Sequence, residues 1–156
     1  MIAVLQRVNN ASVKVAGDTV GSCRKGLCIL LGVAEDDCER DAEALAEKII
    51  NLRIFTDDQD KMNLSLLDVS GEMLVISNFT LLAAYRKGKR PDYTGAAKPD
   101  RARELYEYFT SLCRERVSHV EQGSFGEHME VLISGDGPVT ITMDSKILLA
   151  GKKVGG

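Results

Sequence analysis

The chain has 156 residues, of which 44% are apolar and 28% charged, and its formal net charge is −3. This length predicts one domain, and the apolar content excludes an intrinsically disordered protein. The negative net charge excludes a protein that coats nucleic acid through its overall charge. The apolar run from Leu27 to Val33 is too short to span a bilayer and no signal peptide is visible, so we expect a cytoplasmic protein.

Alternating or continuous apolar patterns of strands occur along most of the chain. The predicted strands lie at about residues 2–8, 12–23 (as a hairpin), 26–34, 53–55, 64–67, 72–79, 127–134 and 138–144. Helical spacing predicts two main helices, one at about 38–52, preceded by a capping box of Asp36 and Glu39, and one beginning at Pro99. Two distant helices among hairpin-connected strands indicate an α+β fold with a mostly antiparallel twisted sheet or partial barrel.

We expect a single domain over residues 1–145 and a basic tail over 146–156, which contains Lys146, Lys152 and Lys153. A second basic region runs from Arg86 to Arg103, with seven positive and two negative residues and a local net charge of +5. Such a patch suits one defined stretch of phosphate backbone. Charge alone nevertheless favours the simpler interpretation of a solvated loop.

The soft metal ligands are few and widely spaced, so we expect reduced thiols and neither a metal nor a cofactor. No cysteine pair has C-x-x-C spacing, and Cys28 lies in an apolar run that is typical of the core. These ligands are Cys23, Cys28, Cys38, Cys113, His119 and His128.

Two segments have a possible chemical role, although the residues by themselves favour an ordinary structural role for both. The strand before Ser77 runs into Ser77-Asn78-Phe79-Thr80 without Gly or Pro, and the backbone N–H groups at such an end can form an oxyanion site. The alternative is a strand end whose hydroxyls bond nearby backbone. Gly137-Pro138 would by itself indicate a trans turn before the last strand. No nucleophile elbow, phosphate-binding loop or Ser/His/Asp arrangement is indicated.

Taken together, the segments resemble the D-aminoacyl-tRNA deacylase family over about residues 1–145. The family's Ser-Gln-Phe-Thr-Leu motif appears here as Ser77-Asn78-Phe79-Thr80-Leu81, so Asn78 is the main departure. The matching segments are Met1–Val8, Ala11–Val13, Lys25–Leu27, Ala46–Phe55, Lys61–Asp68, Ser77–Leu81, Arg86–Pro91, Gly123–Met129 and Gly137–Thr140.

The resemblance implies a homodimeric hydrolase that cleaves the ester bond of D-aminoacyl-tRNA and of glycyl-tRNA mischarged on tRNA-Ala. Its catalytic segment would be Ser77, Asn78, Phe79 and Thr80, with backbone N–H groups around Phe79 and Thr80 as oxyanion donors. Because no base is assigned to Thr80, we expect its side chain to position and not to attack. Phe125 would support the pocket together with Met129.

The resemblance also implies that Gly137-Pro138, with a cis bond, projects into the partner subunit's pocket. There its carbonyl groups would stand where the side chain of an L-amino acid must lie, so an L-amino acid would be rejected by a steric clash. Arg7 would hold this loop in place. The partner would be tRNA, with no DNA and no membrane, and the residues expected to bind tRNA are Arg86, Lys87, Lys89 and Arg90. Two alternatives stay open: an RNA-binding module without catalysis, and a related deacylase with relaxed chirality.

Overall fold

In the computed structural model, which describes residues 1–151, one twisted sheet packs against two main helices. The strands are β1 (Ile2–Val15), β2 (Asp18–Cys23), β3 (Gly26–Gly32), β4 (Phe55–Thr56), β5 (Met62–Leu64), β6 (Glu72–Ser77), β7 (Val120–Gln122) and β8 (Glu130–Asp144). The helices are α1 (Glu39–Asn51), α2 (Pro99–Arg114) and a short α3 (Ser145–Leu149), and a 3₁₀ turn spans Phe79–Leu82.

The main sheet has the strand order β2-β1-β3-β6-β7, and β8 pairs with β1 as well. The long strand β1 is antiparallel to all of its three partners, β2, β3 and β8. In contrast, β3 is parallel to β6, and β6 is parallel to β7. The predicted α+β class with mostly antiparallel pairing is confirmed, but the sheet is mixed. Its parallel pairs arise because α1 and α2 return the chain to the same end of the sheet.

The sheet curls until β2 approaches β7, which agrees with the predicted partial barrel. The Ser22 N–H group donates to the Glu121 carboxylate at 2.5 Å across this gap. Gly21 permits the approach, since a Cβ atom there would lie 2.7 Å from the Gln122 carbonyl oxygen. This closure leaves β8 as an edge strand within residues 1–151.

Two predicted strands, 127–134 and 138–144, are in fact one strand, β8, and the interpretation of Gly137-Pro138 as a break between them was wrong. Pairing between β8 and β1 continues on either side of residues 136–139, which stand opposite the single residue Arg7. The Gly-Pro segment therefore bulges out of a continuous strand. The three-residue strand β7 was not predicted, because it is too short to show an alternating pattern.

Helix α1 is capped differently from the prediction. The Asp41 carboxylate accepts from the Cys38 N–H group at 2.9 Å, whereas Asp37 accepts from the Ala34 N–H group at 2.6 Å. The capping box of Asp36 and Glu39 was therefore wrong, because the helix begins two residues later than that pattern requires.

The core consists of a main cluster between the sheet and the helices and a smaller cluster on the other face of the sheet. Strand β3 contributes Leu27, Ile29 and Leu31 to the first and Cys28 to the second, so the predicted burial of both its faces is confirmed. All four cysteines are free thiols. Burial raises the pKa of Cys28 and of Cys113 to about 12, so these two thiols are unreactive near neutral pH.

Helix α3 covers the start of α1. The Ser145 hydroxyl donates to Asp41 at 2.6 Å and accepts from the buried Met1 ammonium group at 2.7 Å, while the Lys146 ammonium group lies 3.3 Å from Asp37. Leu148 packs against the main core. The first residues of the predicted tail are thus helical, and its residues Lys152 and Lys153 lie outside the described residues. No helix within residues 1–151 is long and apolar enough to cross a membrane.

Candidate active site

A cavity of about 600 Å³ lies where the carboxyl ends of β3 and β6 meet. The two strands are parallel, so the residues that follow them reach the same edge of the sheet. The predicted residues Ser77, Asn78, Phe79, Phe125 and Met129 all line this cavity. The remaining predicted site residues lie outside its lining in the same chain.

The 3₁₀ turn that starts at Phe79 places backbone N–H groups beside the cavity. The Asn78 N–H group donates to the Leu31 carbonyl at 2.8 Å, and the first hydrogen bond within the turn runs from the Leu81 N–H group to the Asn78 carbonyl at 3.4 Å. A 3₁₀ turn leaves its first N–H groups without partners in the turn. Those of Phe79 and Thr80 are therefore available to an oxyanion.

Gly32 allows this turn to lie close against β3. A Cβ atom on Gly32 would stand 2.9 Å from the Asn78 carbonyl oxygen and 3.1 Å from the Leu81 Cβ atom. This role was not predicted, because a glycine at the end of an apolar strand is equally typical of a simple strand terminus.

The Thr80 side chain is exposed, and its hydroxyl donates to the Asn78 side-chain oxygen at 2.5 Å. Neither histidine lines the cavity. His119 instead lies 3.7 Å from Glu72 and 3.5 Å from Glu121, at the opposite end of β6. Within residues 1–151, no side-chain base contacts the Thr80 hydroxyl, and no group of His, Cys, Asp and Glu side chains is arranged to hold a metal.

Four aromatic side chains line the cavity, together with aliphatic residues and with Lys98 and Glu127. The rings of Phe79 and Tyr93 meet edge to face with centroids 5.1 Å apart, and Phe125 lies 5.7 Å from Tyr106. The Arg103 guanidinium group covers the Phe125 ring at 5.1 Å. Tyr93 and Tyr106 were not predicted, because an aromatic residue in a loop or on a helix face has no distinguishing pattern.

The Tyr106 hydroxyl is a hydrogen-bond donor at the back of the cavity. It donates to the Val75 carbonyl at 2.8 Å, and burial raises its pKa well above the ordinary tyrosine value. It therefore stays protonated and acts as a structural group, not as a base.

The bond between Gly137 and Pro138 is cis, and both residues are exposed in the single chain. Arg7, which is largely buried, contacts the bulge directly. Its Nε group donates to the Asp136 carbonyl at 3.1 Å and lies 3.2 Å from the Asp136 carboxylate, while its Nη1 group donates to the Ile54 carbonyl at 2.8 Å. The bulge is thus anchored at its base, and Gly137 and Pro138 are not part of this chain's own cavity lining.

The basic region from Arg86 to Arg103 divides into two parts. Arg101 is 3.0 Å from Glu39 and 2.8 Å from Glu104, and Arg103 lies over Phe125, so both have local partners. The four predicted tRNA-binding residues, in contrast, share one exposed loop and have no ion-pair partner within the described part of the chain. They are Arg86, Lys87, Lys89 and Arg90.

The sequence model of the D-Tyr-tRNA(Tyr) deacylase family matches residues 4–144. The chain belongs to this family. Two relatives named D-aminoacyl-tRNA deacylase come from Thermosipho africanus and Dehalococcoides mccartyi. The first is 56% identical over 94% of this chain and 98% of the relative. The second is 57% identical over 94% of this chain and 95% of the relative.

Two solved structures have the family fold. The c-Myc DNA Unwinding Element Binding Protein superposes with a TM-score of 0.87 at 38% identity, covering 92% of this chain and 98% of that one. A probable eukaryotic D-amino acid tRNA deacylase superposes with a TM-score of 0.80 over the same shares of the two chains, and at 16% identity it supports the fold alone.

Proposed function

We propose that this protein hydrolyses the ester bond of D-aminoacyl-tRNA and releases the free amino acid and tRNA. The observation that supports this most directly is the cavity beside the Phe79–Leu82 turn. Backbone N–H groups without partners in the turn lie there beside aromatic side chains, and the chain belongs to a deacylase family. Such a site suits a substrate that is already activated, as an aminoacyl ester is by its own ammonium group.

The reaction needs positioning and charge stabilisation more than a strong nucleophile. Water adds to the ester carbonyl, and the N–H groups of Phe79 and Thr80 stabilise the oxyanion. The bond to the ribose oxygen then breaks, and that oxygen leaves as a hydroxyl group, with the neighbouring ribose hydroxyl assisting the proton transfer. Asn78 holds the turn through its backbone and side-chain hydrogen bonds, while Ser77, Phe125 and Met129 line the cavity.

The decisive experiment is deacylation of D-Tyr-tRNA by the purified protein, with L-Tyr-tRNA and glycyl-tRNA-Ala alongside. We expect release of D-tyrosine and of glycine. A protein that only binds RNA would release neither, and DNA of matching sequence should not compete with tRNA. A D-ester turnover no faster than the uncatalysed rate would contradict the proposal.

Chirality is proposed to depend on a second subunit. Strand β8 is an edge strand with exposed Leu132 and Ile133, and its Gly137-Pro138 bulge is anchored by Arg7 outside the chain's own cavity. We expect a homodimer in the cytoplasm, where aminoacyl-tRNA is used, in which each bulge enters the partner's cavity. There it would exclude an L side chain, while glycine, which has none, fits.

A Pro138→Ala variant tests this assignment by the ratio of D-ester to L-ester hydrolysis. Wild type should strongly prefer D-Tyr-tRNA and glycyl-tRNA over L-Tyr-tRNA, and the variant should lose part of that preference. If wild type hydrolysed L-esters, including L-Ala-tRNA, as fast as D-esters, the protein would be a deacylase of relaxed chirality.

A further inference from the structure

A small basic arm, defined here as residues 84–92, projects next to the cavity. Its ends are joined by two hydrogen bonds, from the Ala84 N–H group to the Asp92 carbonyl at 2.7 Å and from the Asp92 N–H group to the Ala84 carbonyl at 2.8 Å. Gly88, at the tip, has φ of +70°, which supports the tight reversal. The arm therefore has a fixed base and an exposed, positively charged tip.

Tyr85 is the most exposed large apolar side chain in the described part of the chain, at 82% of its full accessibility. In the sequence it immediately precedes Arg86, the first of the arm's four cations, none of which has an ion-pair partner within residues 1–151. A ring so exposed is not needed for packing, because it buries little surface in the fold. It is, however, what a stacking platform for a nucleic-acid base requires.

The arm is also continuous with the cavity wall. The 3₁₀ turn that begins at Phe79 leads into the arm, and Tyr93 follows it immediately. Phe79 and Tyr93 contact each other at 5.1 Å and both line the cavity. The two cavity rings therefore lie on the chain segments that flank the arm, and a strand whose end lies in the cavity can continue over the arm.

We propose that Tyr85 stacks on an unpaired nucleotide just before the esterified end of the tRNA, while the cations of the basic arm hold the flanking phosphates. This inference rests on the proposed function, which places that end in the cavity. An aromatic ring next to cations is the combination that binds single strands, since every unpaired base offers a flat face and a duplex covers that face by stacking.

Binding of uncharged tRNA tests the inference without using catalysis. We expect Tyr85→Ala to weaken the Kd about 5- to 150-fold, the range for loss of one stacked base, and Tyr85→Phe to stay within about 2-fold because it keeps the ring. Ile147→Ala is the matched control, because Ile147 is also an exposed apolar residue (74%) but lies on α3. A tRNA trimmed of its unpaired 3′ nucleotides should bind more weakly and should not distinguish Tyr85→Ala from wild type.

Kinetics separate a role in binding the strand from a role in shaping the site. For D-Tyr-tRNA, Tyr85→Ala should raise KM and leave kcat within about 2-fold. For D-tyrosyl adenosine, which fills the cavity but does not reach the arm, both constants should match wild type.

An equal loss of kcat/KM on both substrates, or an unchanged Kd for tRNA, would overturn the inference. An equal loss of binding to trimmed tRNA would also overturn it, since the partner would then be the duplex. A wild type that binds tRNA with the expected Tyr85 dependence but hydrolyses neither ester would contradict the proposed function alone.

Discussion

Gly137 has a backbone conformation that other residues adopt only with strain. Its φ is +141°, and a Cβ atom there would lie 2.6 Å from the Val139 nitrogen, whereas Gly135 in the same strand has open space around it. We predict that Gly137→Ala lowers the free energy of unfolding by about 1–3 kcal/mol and reduces activity on D-Tyr-tRNA. Gly135→Ala should change stability by no more than about 0.5 kcal/mol. Urea denaturation of both variants checks this, and equal effects at the two sites would contradict it.

Thr80 and Asn78 form a hydrogen-bonded pair in which Thr80 is the donor at 2.5 Å. Since the Thr80 proton goes to an amide oxygen, which is a poor base, we predict that the hydroxyl orients the turn and does not attack the ester. Thr80→Ala should lower kcat by about 10-fold or less, and Thr80→Ser should retain most activity, because the backbone N–H groups remain. Rapid-quench kinetics on D-Tyr-tRNA provide the measurement. A covalent acyl-enzyme trapped on wild-type Thr80, together with complete loss in Thr80→Ala, would show the opposite.

Asn78 stands where the resemblance implies a glutamine in the family motif, and its shorter side chain has a defined partner in the structure. Its carbonyl oxygen reaches the Thr80 hydroxyl two residues away, while its backbone N–H group bonds to Leu31. A mechanism based on main-chain groups tolerates this substitution, because the turn keeps its backbone bonds whichever amide is present.

At the scale of the elements, Asp41 links α1 to α3. Burial alone would raise its pKa, but hydrogen bonds from Ser145 and Cys38 and the charge of Lys146 lower the pKa to about 2. A carboxyl group with a folded pKa below its unfolded value, about 3.9, contributes stability above that value and loses it as the pH falls towards 2.

We therefore predict that wild type loses stability as the pH falls from about 4 to about 2 and that Asp41→Asn reduces this dependence. The variant should also be less stable at pH 7, because the charged hydrogen bonds that hold α3 are weakened. Thermal unfolding across this pH range is the measurement, with Asp58→Asn as a control at an exposed aspartate. An unchanged pH dependence in Asp41→Asn would contradict the assignment.

At the scale of the whole molecule, the edge strand β8 carries the features that a second copy would cover. Leu132 and Ile133 are 41% and 37% exposed, and the bulge at Gly137-Pro138 lies outside its own chain's cavity. We predict a particle of twice the 17.0 kDa chain mass in light scattering after size exclusion. Ile133→Glu should favour the monomer and lose activity on D-Tyr-tRNA, because a charge on a buried apolar contact is costly.

Ile147→Glu, at an exposed apolar position on α3, is the matched control and should remain dimeric and active. A wild type that is monomeric at micromolar concentration and fully active would show that the site does not need a second subunit.

The sequence by itself determined the class of fold and most of its elements, because apolar periodicity reports which face of each segment is buried. The pattern over residues 26–34 predicted a strand buried on both faces, and the helical spacing located α1 and α2 within a residue or two. The motif at Ser77–Leu81 predicted a site at the end of β6, which borders the cavity.

The tertiary structure alone decided what depends on distant residues. The two parallel pairings, the near closure of the sheet and the short strand β7 follow from how helices return the chain, which no local pattern records. The same holds for Gly137-Pro138, whose local sequence is typical of a turn. Pairing with β1 keeps β8 continuous around it, and Arg7, which is 129 residues away from Asp136, anchors it as a bulge.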